Sequence, residues 1–425
     1  MTIDSGWNKL IKTAVPHAFH PTLQGHQCPA TVFIDGQIKL MCSSSIQLWS
    51  VFFKAQFLNC IDQAFATGAR VVVLSFDDYN SVPASKHMTQ QKRSKHVPAM
   101  DFKPGDELPP IMPSNWPAAM RNRTFKVKVI QMIVNNLRLH YNRENDLDQK
   151  GRTLVVDFIG VPDVFGTPIT LPDLSGKRGE CDIKAFSWTG YGPLLIFSTD
   201  GDFIPISLVQ LEQTAIQTGR RQQIFLLRMK TNIIPPGKRT REEAYKREYE
   251  YVDMHTILDW VAVQMQTVGV VGSPAQNFAA LVASTGCDFT MNLPAIGPTK
   301  LWSARHQLQG LNVTTTAGLL LGLTRVYHKL YEKKVPVLTQ LTQSNHDLDT
   351  SAKLYADIAN AITSHPKISA QVKSRTWTFA RMKAHVCNTN WTLQYWMFLQ
   401  NYPDPLHEKF GFTRKGRQVV FEGDV

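Results

Sequence analysis

Residues 191–206 read YGPLLIFSTDGDFIPI. Gly192-Pro193 breaks whatever precedes, and the four apolar residues Leu194-Leu195-Ile196-Phe197 are too few for a helix. They predict a strand buried on both faces, as in a parallel sheet. Asp200 and Asp202 follow at once. Residues i and i+2 of an extended chain share a side, so both carboxylates emerge together at the strand's C-terminal end, the edge where open α/β sheets bind ligands. Like charges this close raise each other's pKa, and a cation relieves them. Taken alone, the fragment could equally be an acidic turn that ends a strand.

The pattern recurs along the chain. Ala30–Ile34 reads as a strand running into Asp35, and Val71–Phe76 as one running into Asp77-Asp78. Gly179-Glu180-Cys181-Asp182 offers a second i, i+2 pair, and Gly286-Cys287-Asp288-Phe289 places one acid before a turn. Asp35, Asp77, Asp78, Glu180, Asp182, Asp200, Asp202 and Asp288 are thus candidate ligands, with the choice between Asp77 and Asp78 leaning to Asp77. Hard oxygen donors in such number suit Mg2+, with Mn2+ as an alternative, rather than zinc. His17, His20, His26 and Cys28 form a separate cluster whose spacing matches no common zinc site.

A net charge of +12 on 425 residues favours a polyanionic partner, most simply nucleic acid. The length allows one large core or two to three domains. Six cysteines (Cys28, Cys42, Cys60, Cys181, Cys287 and Cys387) are scattered without a C-x-x-C pair, which fits a reducing compartment. No basic-then-apolar leader and no apolar run of ~20 residues is present, so a soluble intracellular protein without a membrane partner is expected.

Taken in order, residues 5–15 space Trp7, Leu10, Ile11 and Ala14 as a small amphipathic helix behind Ser5. Residues 44–66 read as a helix crossing over to the strand that ends at Phe76, a β-α-β unit. Residues 84–96 (ASKHMTQQKRSKH) are basic with almost no apolar face, a pattern that usually marks a solvated segment. Prolines 98, 104, 109, 110, 113 and 117 then enforce a loop, and 118–140 resumes as a helix carrying Arg121, Arg123, Lys126, Lys128 and Arg138. Residues 153–160 predict a strand with Asp157 in its middle, a decoy for the metal set. A strand at 223–229, a charged loop at 232–250 and a helix at 255–268 follow. Beyond 311 the helices 319–331, 352–363 and 376–399 carry no recognised chemistry. The aromatic stripe of the last one reads as core.

Four stretches resemble flap endonucleases and XPG-type nucleases. SGWNKL at 5–10 is similar to the opening of that fold, with Gly6 where relatives have a glycine directly after Met. The 84–95 run resembles their gateway helix, and also the K-M-x-Q-Q-R wording of Xrn 5′-exoribonucleases, with His87 as a one-residue insertion. Gly179–Ala185 (GECDIKA) resembles both the E-x-E pair of flap endonucleases and the G-E-G-E-H-K-I run of Xrn enzymes, Asp182 being one methylene shorter than glutamate. Gly286-Cys287-Asp288-Phe289 followed by LPAIGPTK at 293–300 resembles the last catalytic aspartate and the helix-two-turn-helix.

The resemblance implies an α/β, PIN-like 5′-nuclease domain over 1–310, with a mainly parallel sheet flanked by helices. It further implies an arch or cap within 84–140, a helix-two-turn-helix at 286–310 and a C-terminal helical region at 311–425. Asp35, Asp77, Glu180 and Asp182 would hold one metal ion, and Asp200, Asp202 and Asp288 a second. Lys86 and Arg93, or Lys92, would contact the scissile phosphate, and Lys95, Arg121 and Arg123 would extend the basic track. Ile296, Gly297 and Lys300 would form a turn holding K+ against a duplex phosphate, Gly297 supplying unusual backbone angles. The implied substrate is DNA with 5′ flaps, junctions or ends, in a nuclear or viral replication compartment. Residues 413–425 carry no sliding-clamp box. An Xrn-like exoribonuclease acting on RNA and a catalytically silent scaffold are the alternatives.

Overall fold

A computed structural model of the chain describes residues 6–23, 28–40, 46–77, 100–142, 146–174, 180–229, 249–287, 290, 293, 296–335, 348–366, 368–373, 376–398, 412–415 and 418–421. The strands are β1 (Phe19–His20), β2 (Thr31–Asp35), β3 (Val71–Ser75), β4 (Thr153–Asp157), β5 (Asp163–Gly166), β6 (Leu194–Phe197), β7 (Ile224–Met229) and β8 (Tyr249–Asp253), with β9 (Phe412–Lys415) and β10 (Gln418–Phe421) pairing separately. The first eight form one sheet in the order β1-β8-β7-β6-β2-β3-β4-β5. Its centre, β7-β6-β2-β3-β4, is parallel, and β8, β1 and β5 add antiparallel flanks. The sheet is therefore mixed around a parallel core.

Every residue of β2, β3, β4 and β6 is buried, as their unbroken apolar runs require. Alternate side chains divide between two cores. Phe33, Val73, Val155 and Ile196 enter one, and Ile34, Leu74, Val156 and Phe197 enter the other.

The helices that matter here are α1 (Gly6–Ala14), α2 (Gly36–Leu40), α3 (residues 49–66), α4 (Arg123–Tyr141), α5 (Cys181–Lys184), α6 (Phe203–Thr218), α7 (Met254–Val268), α8 (Pro274–Ser284), α9 (Pro298–Ser303), α10 (Thr316–Tyr331), α11 (Leu348–Ser364) and α12 (Phe379–Phe398). α3 and α4 cover the second core, and α1, α6, α7, α8, α10 and α12 share the first. Starts follow local chemistry: Asn122, Asp253 and Ser273 cap α4, α7 and α8 by accepting from backbone N–H groups. No helix among the described residues is long and apolar enough to cross a membrane.

Several expectations are refined. The helix read over 44–66 starts at Trp49 within the described residues and contains a π-type segment, Lys54–Leu58. The strand read over 153–160 stops at Asp157, so that residue terminates β4 instead of sitting within it. Of the stretch assigned to a cap, residues 123–141 form α4. Its inner face of Phe125, Val129, Ile130, Ile133, Val134 and Leu137 is packed on the sheet. Residues 78–99 lie outside the described residues. The C-terminal aromatics are core as expected: Trp391 and Trp396 are almost fully enclosed, while Phe398 is exposed. The β9–β10 hairpin had no sequence signal that was read.

α1 is fixed by aromatic packing: Trp7 meets Phe278 and Trp302 edge-on at 5.2 and 6.0 Å, and its indole donates to Thr285 Oγ1 at 2.7 Å. Gly36 allows the closest approach near the acids. A Cβ there would enter the Phe76 ring and lie 2.8 Å from the Ser75 carbonyl oxygen. Gly36→Ala is expected to destabilise the protein by about 1–3 kcal/mol, since β2 and β3 cannot separate without breaking their ladder. Chemical denaturation checks this, and an unchanged midpoint would contradict the packing described.

Candidate active site

The chain passes from β2 outward to β3 and β4, then returns to the other side of β2 for β6 and β7. The crevice beyond the C-terminal ends of β2 and β6 is thus the topological switch point, the ligand-binding position of open α/β sheets. Register brings the acids there. Asp35 ends β2 opposite Ser75 of β3, two residues before Asp77, and its predecessor Ile34 lies opposite Phe197, three residues before Asp200.

A chain of hydrogen bonds crosses the switch point. Asp35 Oδ1 accepts from the Gln37 N–H at 2.9 Å and Oδ2 from Ser198 Oγ at 3.0 Å. Ser198 Oγ accepts from the Asp200 N–H at 3.1 Å, and Asp200 Oδ1 from the Asp202 N–H at 3.1 Å. On the other side, Asp77 Oδ1 accepts from the Cys181 N–H at 3.0 Å, which seats α5 against β3. α5 brings the fully enclosed Glu180 and the buried Asp182. Asp35 and Asp77 are buried, Asp202 is half-buried and Asp200 is exposed, so the acids run from the interior to solvent.

Burial pushes Asp35 up to about 8, and repulsion from Asp77 and Asp200 adds to the shift, while hydrogen bonds from Gln37 and Ser198 oppose it. The Cys181 thiol is raised well above its usual range, first by burial and then by Asp77 and Asp35, so it stays protonated and is no nucleophile. Burial alone would lower Lys184, but the Asp157 carboxylate, with Asp77 adding, outweighs it and holds its ammonium above the usual value. Lys184 pairs with Asp157 at 2.9 Å.

Trp7, Asn8, Gly201, Asp202, Phe278 and Gly286 line a small cleft where α1, the turn after β6 and the end of α8 meet. The chain that leads to Asp288 therefore leaves α8 beside Asp202. Asp78, Lys86, Lys92, Arg93, Lys95 and Asp288 lie outside the described residues. Arg121 is exposed and Arg123 half-buried at the start of α4. Ile296 is buried in the first core, which removes its side chain from any ligand contact, whereas Gly297 and Lys300 are exposed at the start of α9. Gly297 corrects an expectation: φ −92° and ψ 174° are ordinary extended angles.

Among the described residues no three His, Cys, Asp or Glu side chains are grouped tightly enough to form a ready metal centre. The donor chemistry nevertheless fits a hard divalent cation: the acids offer carboxylate oxygens, and Asp35 is held protonated first by burial and then by Asp77 and Asp200, a state that a compensating positive charge would reverse. Ser198, Asp157 and Lys184 were missed as site components. Lys184 had a signal, a lone cation among Ile183, Ala185 and Phe186.

No family model matches the chain, and no curated protein does. Its solved neighbours include the catalytic core of Rad2. A structure of that core in complex with DNA substrate is 11% identical with a TM-score of 0.40, covering 94% of this chain and 97% of that one. A second complex is 12% identical at a TM-score of 0.38, covering 89% and 98%. T5 D15 protein co-crystallised with metal ions is 11% identical at a TM-score of 0.32, covering 85% and 99%.

The Asp35 shift sets a pH dependence. Its folded-state value of about 8 lies above the ordinary 3.8, so between those values the unfolded chain is ionised while the folded one still holds the proton. Folding then loses stability as pH rises through this window, and the loss levels off above it. The metal-free protein should melt at falling temperature from about pH 5 to about pH 8, and Asp35→Asn should flatten much of that slope. Parallel slopes for the two proteins would contradict the assignment.

Proposed function

We propose that the chain is a divalent-metal-dependent nuclease of the flap endonuclease and XPG type, hydrolysing phosphodiester bonds of DNA at 5′ flaps, junctions or ends. The observation that carries this is the electrostatic convergence of Asp35, Asp77 and Asp200 at the switch point of the sheet, in a chain of net charge +12. Acids facing one another inside a basic protein are arranged for cations that in turn meet a phosphate.

Asp35, Asp77, Glu180 and Asp182 would hold one Mg2+ ion, and Asp200, Asp202 and Asp288 a second. Asp77 is preferred to Asp78 because its carboxylate meets the N–H of Cys181 between the two α5-side acids. Two such ions supply an activated water and neutralise charge on the attacking and leaving oxygens. The protein's own part is positioning. Ser198 and the Gln37 N–H orient Asp35, and the Cys181 N–H orients Asp77. Lys86, Lys92 and Arg93 would grip the scissile phosphate, with Lys95, Arg121 and Arg123 continuing the track. The exposed Gly297 and Lys300 at the start of α9 would take the duplex backbone, with K+ as the bridging ion. The low-dielectric floor beneath Asp35 and Asp77 would strengthen the hold of these two acids on a cation.

The test is Mg2+-dependent cleavage of 5′-labelled flap, bubble, linear duplex and single-stranded RNA substrates side by side. DNA with a 5′ flap or end should be cut, and Asp200→Asn with Asp202→Asn should reduce the rate on the order of a hundredfold or more. Affinity for the same DNA without divalent ions should not fall, because the change removes negative charge. Preferential degradation of 5′-phosphorylated RNA would turn the assignment to an exoribonuclease. Undiminished cutting by the double variant would remove these acids from the site.

A further inference from the structure

α5 is a single helical turn, too short to be stable through its own hydrogen bonds, yet it carries Asp182 and follows directly on Glu180. It is held at both ends. At its start the Cys181 N–H donates to Asp77 Oδ1 at 3.0 Å. At its end the Lys184 ammonium reaches over two strand termini, pairing with Asp157 Oδ2 at 2.9 Å and donating to the Phe76 carbonyl oxygen at 3.2 Å. Ser75 Oγ donates to the same Asp157 oxygen at 2.6 Å, and the Phe76 N–H donates to the Asp157 carbonyl at 2.8 Å. The two charged side chains are 5% and 6% exposed. One ammonium thus ties α5 to β3 and β4 at the residue immediately before Asp77.

We infer that Lys184 is a positioning residue, which through its buried pair with Asp157 fixes Glu180 and Asp182 against Asp77 so that these acids are arranged for a divalent cation before one arrives. This rests on the nuclease reading above. A buried ion pair adds little net stability over a neutral pair of the same shape, so its effect here is on geometry. The opposite role, a resident counter-charge for the acids, would make Lys184 a competitor of the metal, and the two roles give opposite signs.

The deciding experiment is calorimetric titration of the full chain with Mn2+, without nucleic acid. Wild type should bind. Lys184→Met with Asp157→Asn removes both charges at nearly constant volume, and should weaken Mn2+ affinity about tenfold while the metal-free melting temperature changes little. Ser75→Ala, which alters no charge and leaves the ion pair in place, should weaken it in the same direction by about threefold, so the inference stays testable even if the double variant folds poorly. Equal or tighter Mn2+ binding by a folded variant overturns the positioning role alone. Absence of Mn2+ binding by wild type overturns the nuclease reading and this role with it.

Discussion

Like charge gathered at one sheet edge is the constraint to which the rest of the structure answers. Parallel pairing of β2 with β3 and β6 leaves no freedom in where Asp35, Asp77 and Asp200 emerge, because each follows the last apolar residues of its strand. Two of the three are buried, where a carboxylate is poorly solvated and its neighbour's field is weakly screened. The protein meets this with donors: the Ser198 hydroxyl and the Gln37 N–H on Asp35, and the Cys181 N–H on Asp77. They do not suffice for Asp35, whose proton is retained to about pH 8.

The two cores serve this edge by making it rigid. Apolar side chains fill both faces of the central strands, so the carboxylates project from a frame in which a one-residue slip would send every side chain into the opposite core, where it does not fit. The helices around it are anchored at the points that matter. α1 is pinned by Trp7 at the end of α8, beside Asp202. The region beyond 311, silent in motif terms, has a place in this scheme: α12 packs on α8, and His385 donates from Nε2 to the Ser284 carbonyl at 2.8 Å. Burial first, with Arg381 adding, holds His385 at about 4 against the pull of that hydrogen bond, so it is neutral and structural there.

Strands of the parallel core were legible in sequence because burial on both faces writes an unbroken apolar run, and their acids were legible because each follows such a run directly. Gly179–Ala185 was read for its two acids, while Lys184 was overlooked because its partner, Asp157, is 27 positions earlier in the sequence and only strand pairing brings them together. Asp157 looked idle in the middle of a predicted strand; terminating the strand is what lets it meet Lys184 and Ser75. Gly297 misled because its unusual angles were implied by the resemblance, whereas Pro298 after it pushes the backbone to the extended angles seen. The helix within 118–140 was legible despite its basic residues, because apolar side chains recur along its inner face, which lies in the second core.

The central claim is that these scattered acids share divalent cations at the C-terminal edge of the sheet. Crystals of the protein grown with Mn2+ test it directly through an anomalous-difference map, which locates the metal without assumptions about activity. Expected is a peak at the crevice between the ends of β2 and β6, contacted by Asp35 and by carboxylates of the Asp77 and Asp200 segments. A map without a peak there, with Asp35, Asp77 and Asp200 turned away from a common point, would contradict it.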